Sequence, residues 1–587
     1  MKKESFNFYL IIPTILVVLA ISYIGFNNFS KKTTSSFVSA DTLTDDQKRL
    51  PINSLKGLEI TDGLEVNTFA TEPMLINPTN IDVDAKGRVW VCEAYNYRPQ
   101  INGNPTKKEG DRILILEDTN ADGKADSQKI FYQGPEINSP LGISVFGNKV
   151  YVSQSPYIWI FTDENGDDKA DKKEILFQGI AGDQHDHGAH AMVFGPEGKL
   201  YFNFGNEGKQ LKDKDGNFAK NIDGREINEK NFKQGLLFRC DLDGSNVEVL
   251  GQNFRNSFEV AVDSYGTLWQ TDNDDDGNKA TRVLYVMQNG NYGYTSELTG
   301  AGWRAQRTNM EDSIPLKHWY LNDPGVVPNL LQTGAGSPSG LIVYEGNLLP
   351  EKFQNQMIHC EAGNNVVRSY PVTKNGAGYK ASINNILKGT NDQWFRPIDV
   401  CVAPDGSLIV ADWYDPGVGG HEAGDQSKGR IYRISPKNTP YKVQEADLSS
   451  VASSIVGLQS PNQATRYLAY VNLKKFGKEA ISDIEKLYNT SENQRMKARA
   501  FWLLADSENG NKYIANAAKD ANPDIRIAAL RAAYLYKKEV INTVKSLLND
   551  ADAQVRRECA LTLRHNNSPE KAPLLARLAV AHNGTDR

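Results

Sequence analysis

Cysteine is scarce in this chain. Its 587 residues hold five, Cys92, Cys240, Cys360, Cys401 and Cys559, widely spaced and never as Cys-x-x-Cys. That spacing excludes a zinc ribbon, a c-type haem attachment site and a disulfide-dense scaffold, and leaves packing as the role of the four in apolar runs. Basic runs never exceed a pair. With a formal charge of −6, the chain lacks the footprint of a nucleic-acid surface. No strand–Gly-x-Gly-x-x-Gly–helix unit occurs, which excludes nicotinamide dinucleotide chemistry. Nor is there the excess of Pro, Gly or charge that signals disorder. What remains is an ordinary globular composition on a chain long enough for roughly two to four domains.

The one long hydrophobic run is at the N-terminus. Lys2 and Lys3 precede Phe6 to Phe26, interrupted by Asn7, Pro13, Thr14 and Ser22, a run long enough to span a bilayer. It predicts a membrane anchor over residues 1–29, with the body in the cell envelope on the periplasmic side. The alternative is a secretory signal cleaved after Val38-Ser39-Ala40, releasing a secreted protein. Lys31 and Lys32 lie on the far side of the run, against the positive-inside pattern. Residues 30–58 are polar and read as a linker.

From 59 to 436 the pattern is all-β, and one phrase recurs: a hydrophobic pair, a turn with Gly, then alternating apolar residues. It occurs as Ile81-Asp-Val-Asp-Ala-Lys-Gly-Arg-Val-Trp-Val91, Ile143-Ser-Val-Phe-Gly-Asn-Lys-Val-Tyr-Val152 and Met192-Val-Phe-Gly-Pro-Glu-Gly-Lys-Leu-Tyr-Phe202. It returns as Val260-Ala-Val-Asp-Ser-Tyr-Gly-Thr-Leu-Trp269 and Val400-Cys-Val-Ala-Pro-Asp-Gly-Ser-Leu-Ile-Val410, with a weaker copy from Gly340 to Cys360. Six copies predict six four-stranded blades closed into a propeller. Between 447 and 582 the period becomes helical. Arg466-Tyr-Leu-Ala469, Lys497-Ala-Arg-Ala500, Arg526-Ile-Ala-Ala529 and Arg556-Arg-Glu-Cys559 recur in amphipathic stretches, as in HEAT-type helical pairs stacked into a solenoid. A plain helical bundle is the alternative. The solenoid is expected to act as a brace or a surface for a protein partner.

Chemistry is expected first at Asp183-Gln-His-Asp-His-Gly-Ala-His190, which holds three of the eight histidines, His185, His187 and His190. Histidine is both a base near neutral pH and a metal ligand. The alternative is a polar loop with one buried and two solvated rings. Further candidates come from the ends of strand-like segments: Glu93 and Arg98 in Glu-Ala-Tyr-Asn-Tyr-Arg, and Asp412 and His421 in Asp-Trp-Tyr-Asp-Pro-Gly-Val-Gly-Gly-His. Loops rich in Gly and aromatics at a propeller's mouth line central cavities.

Two turns share the spacing Asp-x-Asn-x-Asp-x-x-x-Asp: Asp118, Asn120, Asp122, Asp126 and Asp163, Asn165, Asp167, Asp171. Alternate oxygen ligands on a tight loop closed by a later carboxylate suit calcium. Two solvated acidic turns are the alternative.

Taken together, residues 60–436 resemble the soluble quinoprotein glucose/sorbosone dehydrogenase family. Closer still, the whole looks like the bacterial membrane-bound dehydrogenase proteins, in which such a propeller precedes HEAT-like repeats. Three stretches carry the resemblance: His187-Gly-Ala-His-Ala-Met-Val-Phe-Gly-Pro-Glu-Gly-Lys-Leu-Tyr-Phe-Asn-Phe-Gly-Asn206, Gly251-Gln-Asn-Phe-Arg-Asn256 and Arg396-Pro-Ile-Asp-Val-Cys-Val-Ala-Pro-Asp-Gly406. The resemblance implies oxidation of a sugar or alcohol by pyrroloquinoline quinone (PQQ) with calcium. His187 would be the base, and Arg255, Asn256 and Arg396 would contact the cofactor. Asn206 stands where the family has an acid orienting the base, and Asp186 is a substitute for it. The segment His359-Cys-Glu-Ala-Gly-Asn-Asn365 has no counterpart of the cofactor lysine, and a second cofactor arginine is Ile398. Relatives often continue into a cytochrome domain; without one, electrons would pass to a separate cytochrome or quinone. The competing functions are a non-redox, calcium-stabilised propeller that binds a glycan or protein partner, and a propeller hydrolase or lyase.

Overall fold

Each of the six recurring phrases folds as an antiparallel hairpin. Alternating apolar residues fill a buried strand, and the central Gly supplies a left-handed turn, as Gly87 does at φ 80° and Gly406 at φ 89°. The hairpins pair Pro78–Val83 with Val89–Glu93, Gly142–Phe146 with Lys149–Gln154, and Ala189–Phe194 with Leu200–Phe204. The other three pair Val260–Val262 with Leu268–Asp272, Pro338–Val343 with Met357–Glu361, and Pro397–Val402 with Leu408–Asp412. Two further strands complete the sheets of blades 1, 4 and 6 and three those of blades 2, 3 and 5, and the first strands touch one another around a closed ring. The chain therefore forms a six-bladed propeller; blade 1 begins at Pro78 and blade 6 at Pro397. The ring closes with a strand from the start of the domain. Leu64–Thr71 pairs with Arg430–Pro436 as the outer strand of blade 6, so the start and the end of the domain meet in one sheet.

This is a computed structural model, and it describes residues 43–582 apart from 276, 419–421 and 444. The expected anchor over 1–29 and residues 30–42 of the 30–58 linker lie outside the described residues, as does His421. Among the described residues no helix is long and apolar enough to cross a membrane. Residues 43–57 belong to a unit of their own, with short helical turns at Asp45–Lys48 and Pro51–Asn53.

Carboxylates lace the inner strands across the blades. Asp399 of blade 6 accepts from the Ile81 N–H at 2.8 Å and from Asn80 Nδ2 at 2.6 Å, both in blade 1. Asp82 of blade 1 accepts from the Val145 N–H of blade 2 at 2.7 Å, and Glu259 accepts from the Leu341 N–H of blade 5 at 2.6 Å. Burial pushes the carboxyls of Asp82 and Asp399 up to about 7. A carboxyl whose pKa rises on folding contributes stability below its unfolded value and loses it as pH rises through the folded value. Infrared spectra should therefore show protonated carboxyl groups in the folded protein at pH ~6, and their loss above pH ~8 should lower the melting temperature. Spectra with all carboxyls ionised at pH ~6 would contradict this assignment.

After Pro436 the helices run from Val451–Leu458 to Lys571–Ala581. The recurring basic residues lie on Gln463–Phe476, Gln494–Asp506, Pro523–Leu535 and Ala553–Thr562, each N-capped by the side chain of Asn462, Asn493, Asn522 or Asp552. Two of them reach the next repeat. Lys497 pairs with Asp520 at 2.6 Å, and Arg526 holds Asp550 through two bonds of 2.7 Å. These are stacked HEAT-like repeats.

The solenoid packs against the turns joining first to second strands. Asn462, besides capping its helix, donates to the carbonyls of Val83 at 2.8 Å and Val402 at 2.9 Å, which seats it at that end of the axis. The Trp502 indole donates to the Ser264 carbonyl at 2.9 Å and the Tyr470 hydroxyl to that of Glu197 at 3.0 Å. The opposite end of the inner strands is left open.

Candidate active site at the propeller axis

The inner strands begin at the open end, and their first residues wall an axial pocket of about 750 Å³ counted to its mouth. Thr79 comes from blade 1, Phe258 from the lead into blade 4, Ser337 and Ser339 from blade 5, and Arg396 and Ile398 from blade 6. Tyr97 and Trp413 add aromatic faces, in edge contact at 5.4 Å between ring centres. Asp186 and Asn256 complete the polar wall.

His187 lies just before the first strand of blade 3, where the chain turns so tightly that a Cβ on Gly205 would sit 2.8 Å from the His187 carbonyl. Its Nδ1 is 2.6 Å from Asn206 Oδ1. An amide oxygen only accepts, so this bond places the proton on Nδ1 and leaves the Nε2 lone pair available. Burial pushes the ring down to about 4; the Arg255 charge adds to this, while Asp186 and Asn206 oppose it. Asp186 itself is pinned by Arg98, whose Nη1 lies 2.6 Å away. Arg98 is buried and left-handed at φ 46°, and its N–H donates to Gln184 Oε1 at 2.8 Å. Burial pushes the Asp186 carboxyl up, but the charges of His187, Arg98 and His185 outweigh it and hold the carboxyl below its ordinary value.

His185, Asp186 and His187 bring potential metal-ligating atoms within 4.8 Å of one another. The guanidinium on Asp186 works against a second cation there. His190 is buried between two carbonyls, with Nε2 2.8 Å from that of Asp186 and Nδ1 bonded to that of Ser257. It fixes the backbone of the His187 turn and stacks on the wall residue Phe258 at 5.2 Å between ring centres, without lining the pocket itself.

The remaining candidates divide. Arg255 binds Asp275 through Nε at 2.7 Å, and its Nη1 is buried without a partner. Asn256 lines the pocket with its Oδ1 likewise buried and unpartnered. Arg396 lines the pocket too, but its guanidinium donates to the carbonyls of Gly417 at 2.8 Å and Pro416 at 3.0 Å. Glu93 accepts from the Ile76 N–H at 2.8 Å and from Arg112 at 2.6 Å. Asp412 is fully buried and caps the N–H groups of Arg396 at 2.7 Å and Tyr414 at 2.9 Å, with its carboxyl pushed up to about 7 by burial. Neither Glu93 nor Asp412 lines the pocket. Phe258, Ser337 and Ser339 do line it, although nothing in their local sequence marks them. Their shared place at the start of an inner strand is the signal, visible only when the six phrases are aligned.

This wall does not match PQQ, whose three carboxylates need several cations. Among the described residues Arg396 is the one cation on it, and Asp186 supplies an anion. The cation positions expected from the resemblance are apolar: Ile398 lines the pocket, and from the His359–Asn365 segment it is Ala362 that does.

The two acidic turns lie on hairpins between the third and fourth strands, in blade 1 after Asp111–Glu117 and in blade 2 after Tyr157–Thr162. They share one bonding pattern. Asp118 Oδ2 accepts from the Gly123 N–H at 2.8 Å and Asp163 Oδ2 from that of Asp168 at 3.0 Å. Asn120 reaches Asp126 at 2.7 Å and Asn165 reaches Asp171 at 3.0 Å. Asp122 and Asp167 cap the N–H groups of Lys124 and Lys169. The third and ninth side chains thus meet over each loop through the Asn amide, while the first and fifth carboxylates are taken up by loop N–H groups. It is the spacing, not a gathered ligand set, that suits calcium.

The profile of a family described as Domain of unknown function (DUF7133) matches residues 50–438, and that of HEAT repeats matches residues 511–587. No curated protein sequence matches the chain. Among solved structures it is similar to the holo PQQ domain of pyranose dehydrogenase from Coprinopsis cinerea, with 15% identity and a TM-score of 0.45, covering 64% of this chain and 97% of that one. It is also similar to the PQQ-bound aldose sugar dehydrogenase of Streptomyces coelicolor, with 16% identity and a TM-score of 0.43, covering 64% and 99%. The apo aldose sugar dehydrogenase of Escherichia coli stands at 15% and 0.43, covering 64% and 100%.

Proposed function

This chain belongs to the DUF7133 family, and from its axial pocket we propose that it binds and activates a neutral, hydroxyl-bearing small molecule of the sugar or alcohol class. One observation carries this reading. Asn256 Oδ1, on the pocket wall, is buried and needs a donor. A hydroxyl group supplies one, whereas a carboxylate or quinone oxygen does not. Tyr97 and Trp413 offer apolar faces for the carbon side of such a ligand.

His187, beside the wall residue Asp186 rather than on the wall itself, would take the hydroxyl proton at Nε2. Its ring is neutral above about pH 4, so the base form prevails at physiological pH, and the Asp186 carboxylate stabilises the imidazolium as it forms. Oxidation of the bound alcohol would require a hydride acceptor other than PQQ, and electrons would then leave to a separate carrier. Export to the cell envelope through residues 1–29 completes the reading.

Calorimetric titration with an aldose and alcohol panel tests it. Asn256→Leu is expected to weaken binding by about tenfold, the equivalent of ~1.4 kcal/mol. Unchanged affinity would remove the hydroxyl assignment.

We also propose calcium at both acidic hairpins, as structural ions that offset carboxylate repulsion. Chelation is expected to lower the melting temperature. Calcium at about a hundred times its Kd should restore about 2.7 kcal/mol per site. Asp126→Ala with Asp171→Ala should abolish the response, and a melting curve indifferent to calcium in the unaltered protein would contradict it.

A further inference from the structure

A second cleft opens between blade 3 and the solenoid, about 2040 Å³ on the same measure as the axial pocket and sharing no residue with it. Its walls carry Lys199, Lys220, Arg239, Lys537 and Arg564 against Glu248 and Glu539, a basic surface on a chain of charge −6. Several of these charges are already matched. Arg239 and Arg564 hold Glu248 at 2.5 Å and 3.1 Å, and Lys199 pairs with Asp241. Lys220 and Lys537 are exposed and have no acidic partner among the described residues.

Two further features point the same way. The helix Val540–Leu547 begins in the cleft without a side-chain cap. The N–H groups of Val540, Ile541 and Asn542 find no carbonyl among the described residues, and such a terminus attracts negative charge. Independently, Thr562 lines the cleft, is 1% exposed and leaves Oγ1 without a partner. Asn221, Asn246, Asn542, Asn566 and Asn567 also line it. The oxygens of Asn221 and Asn566 already accept from the Val249 and Ser568 N–H groups, and the amide nitrogens of Asn246 and Asn542 donate to Asp241 and Glu539. This leaves Asn246, Asn542 and Asn566 the other half of the amide for a ligand. Amides donate and accept at once, which suits rows of hydroxyls better than a peptide backbone does.

We propose that this junction cleft binds an acidic oligosaccharide. Lys220, Lys537 and the open helix terminus receive its carboxylate or sulfate groups, and the asparagines receive its hydroxyls. The solenoid then acts as one wall of a glycan site as well as a brace. A propeller that acts on small hydroxylated molecules at its axis would in this way be held on an acidic polymer.

The test is calorimetric titration of the full chain with hexagalacturonate, maltohexaose, hexaglutamate and inorganic phosphate. Hexagalacturonate is expected to bind, and to weaken about tenfold or more both in the double variant Lys220→Glu, Lys537→Glu and on raising salt from ~50 to ~200 mM. Maltohexaose should not bind there. Both lysines are exposed, so the double variant should melt like the parent. No binding at millimolar hexagalacturonate, or binding unchanged in the double variant, overturns the proposal. Equal affinity for hexaglutamate or for phosphate overturns the glycan assignment. Asn256→Leu leaves this cleft intact, so failure at the axial pocket and failure here are read separately.

Discussion

Replacing Glu345 with alanine is expected to cost the folded chain about 3–5 kcal/mol and to loosen the solenoid from the propeller. Glu345 lies in the turn between the first and second strands of blade 5, and its side chain is 1% exposed. Arg495 reaches one carboxylate oxygen at 2.5 Å and Arg499 the other at 2.8 Å. Ser264 of blade 4 donates to the same group through its N–H at 2.8 Å and its hydroxyl at 2.6 Å. Burial pushes this carboxyl up, but the two arginines outweigh burial and hold it well below its ordinary range. Removing it takes the carboxylate from two guanidinium groups. Asp263 stays 3.5 Å from Arg495, and Arg499 keeps neutral partners, among them the Ser264 hydroxyl and the Leu458 and Ser460 carbonyls. A buried charge without its partner is costly even where the intact pair adds little. Calorimetric melting should show the loss, and proteolysis should begin in the segment between Pro436 and Val451. Lys512→Ala, which breaks the exposed pair with Glu485, should change little. If Glu345→Ala melts with the parent, apolar contacts such as Trp502 carry the docking alone.

Asn206→Asp is expected to move the His187 ring from about 4 back towards its ordinary 6.5. The substitution sets a full negative charge where a neutral oxygen now lies 2.6 Å from Nδ1, and an opposite charge at that range favours the protonated ring. Nitrogen-detected NMR titration reads this without any substrate. Since the neutral ring is the base, the acid limb of any kcat/KM profile should fall near pH 4 in the parent and roughly two pH units higher in the variant. A limb that stays in place would show that Asn206 does not set the protonation of His187.

The propeller was legible because its phrase is the inner hairpin of every blade, and that hairpin is local in sequence. The solenoid was legible for a similar reason: the recurring basic residue stands four positions after an N-cap, so one local pattern marks each helix start. The pocket was harder. Asp186, Asn256 and Arg396 could be picked out, but Phe258, Ser337 and Ser339 face the axis only because six blades close into a ring, which no local pattern records. Glu93 and Asp412 mislead for an instructive reason. Both end the second strand of a blade, as Asp272 and Glu361 do. Glu93, Asp272 and Asp412 each accept from N–H groups just before their own first strand, at Ile76, Arg255 and Arg396. Their position is a repeated structural clasp, and comparing the blades with one another distinguishes it from a reactive carboxylate. Ile398 and Ala362 are the reverse case. Their apolar character is plain in the sequence, yet their effect on the pocket's charge emerges only when both are seen on one wall.

The measurement that bears most directly on the axial pocket is a paired calorimetric titration of the full chain, with a neutral aldose panel in one series and PQQ with calcium in the other. The charge and hydrogen-bonding of the wall predict that an aldose binds, weakened in Asn256→Leu, and that PQQ does not bind at high micromolar concentration with or without calcium. Calcium-dependent PQQ binding that is lost in Arg255→Ala, with no affinity for any neutral hydroxylated ligand, would contradict the account.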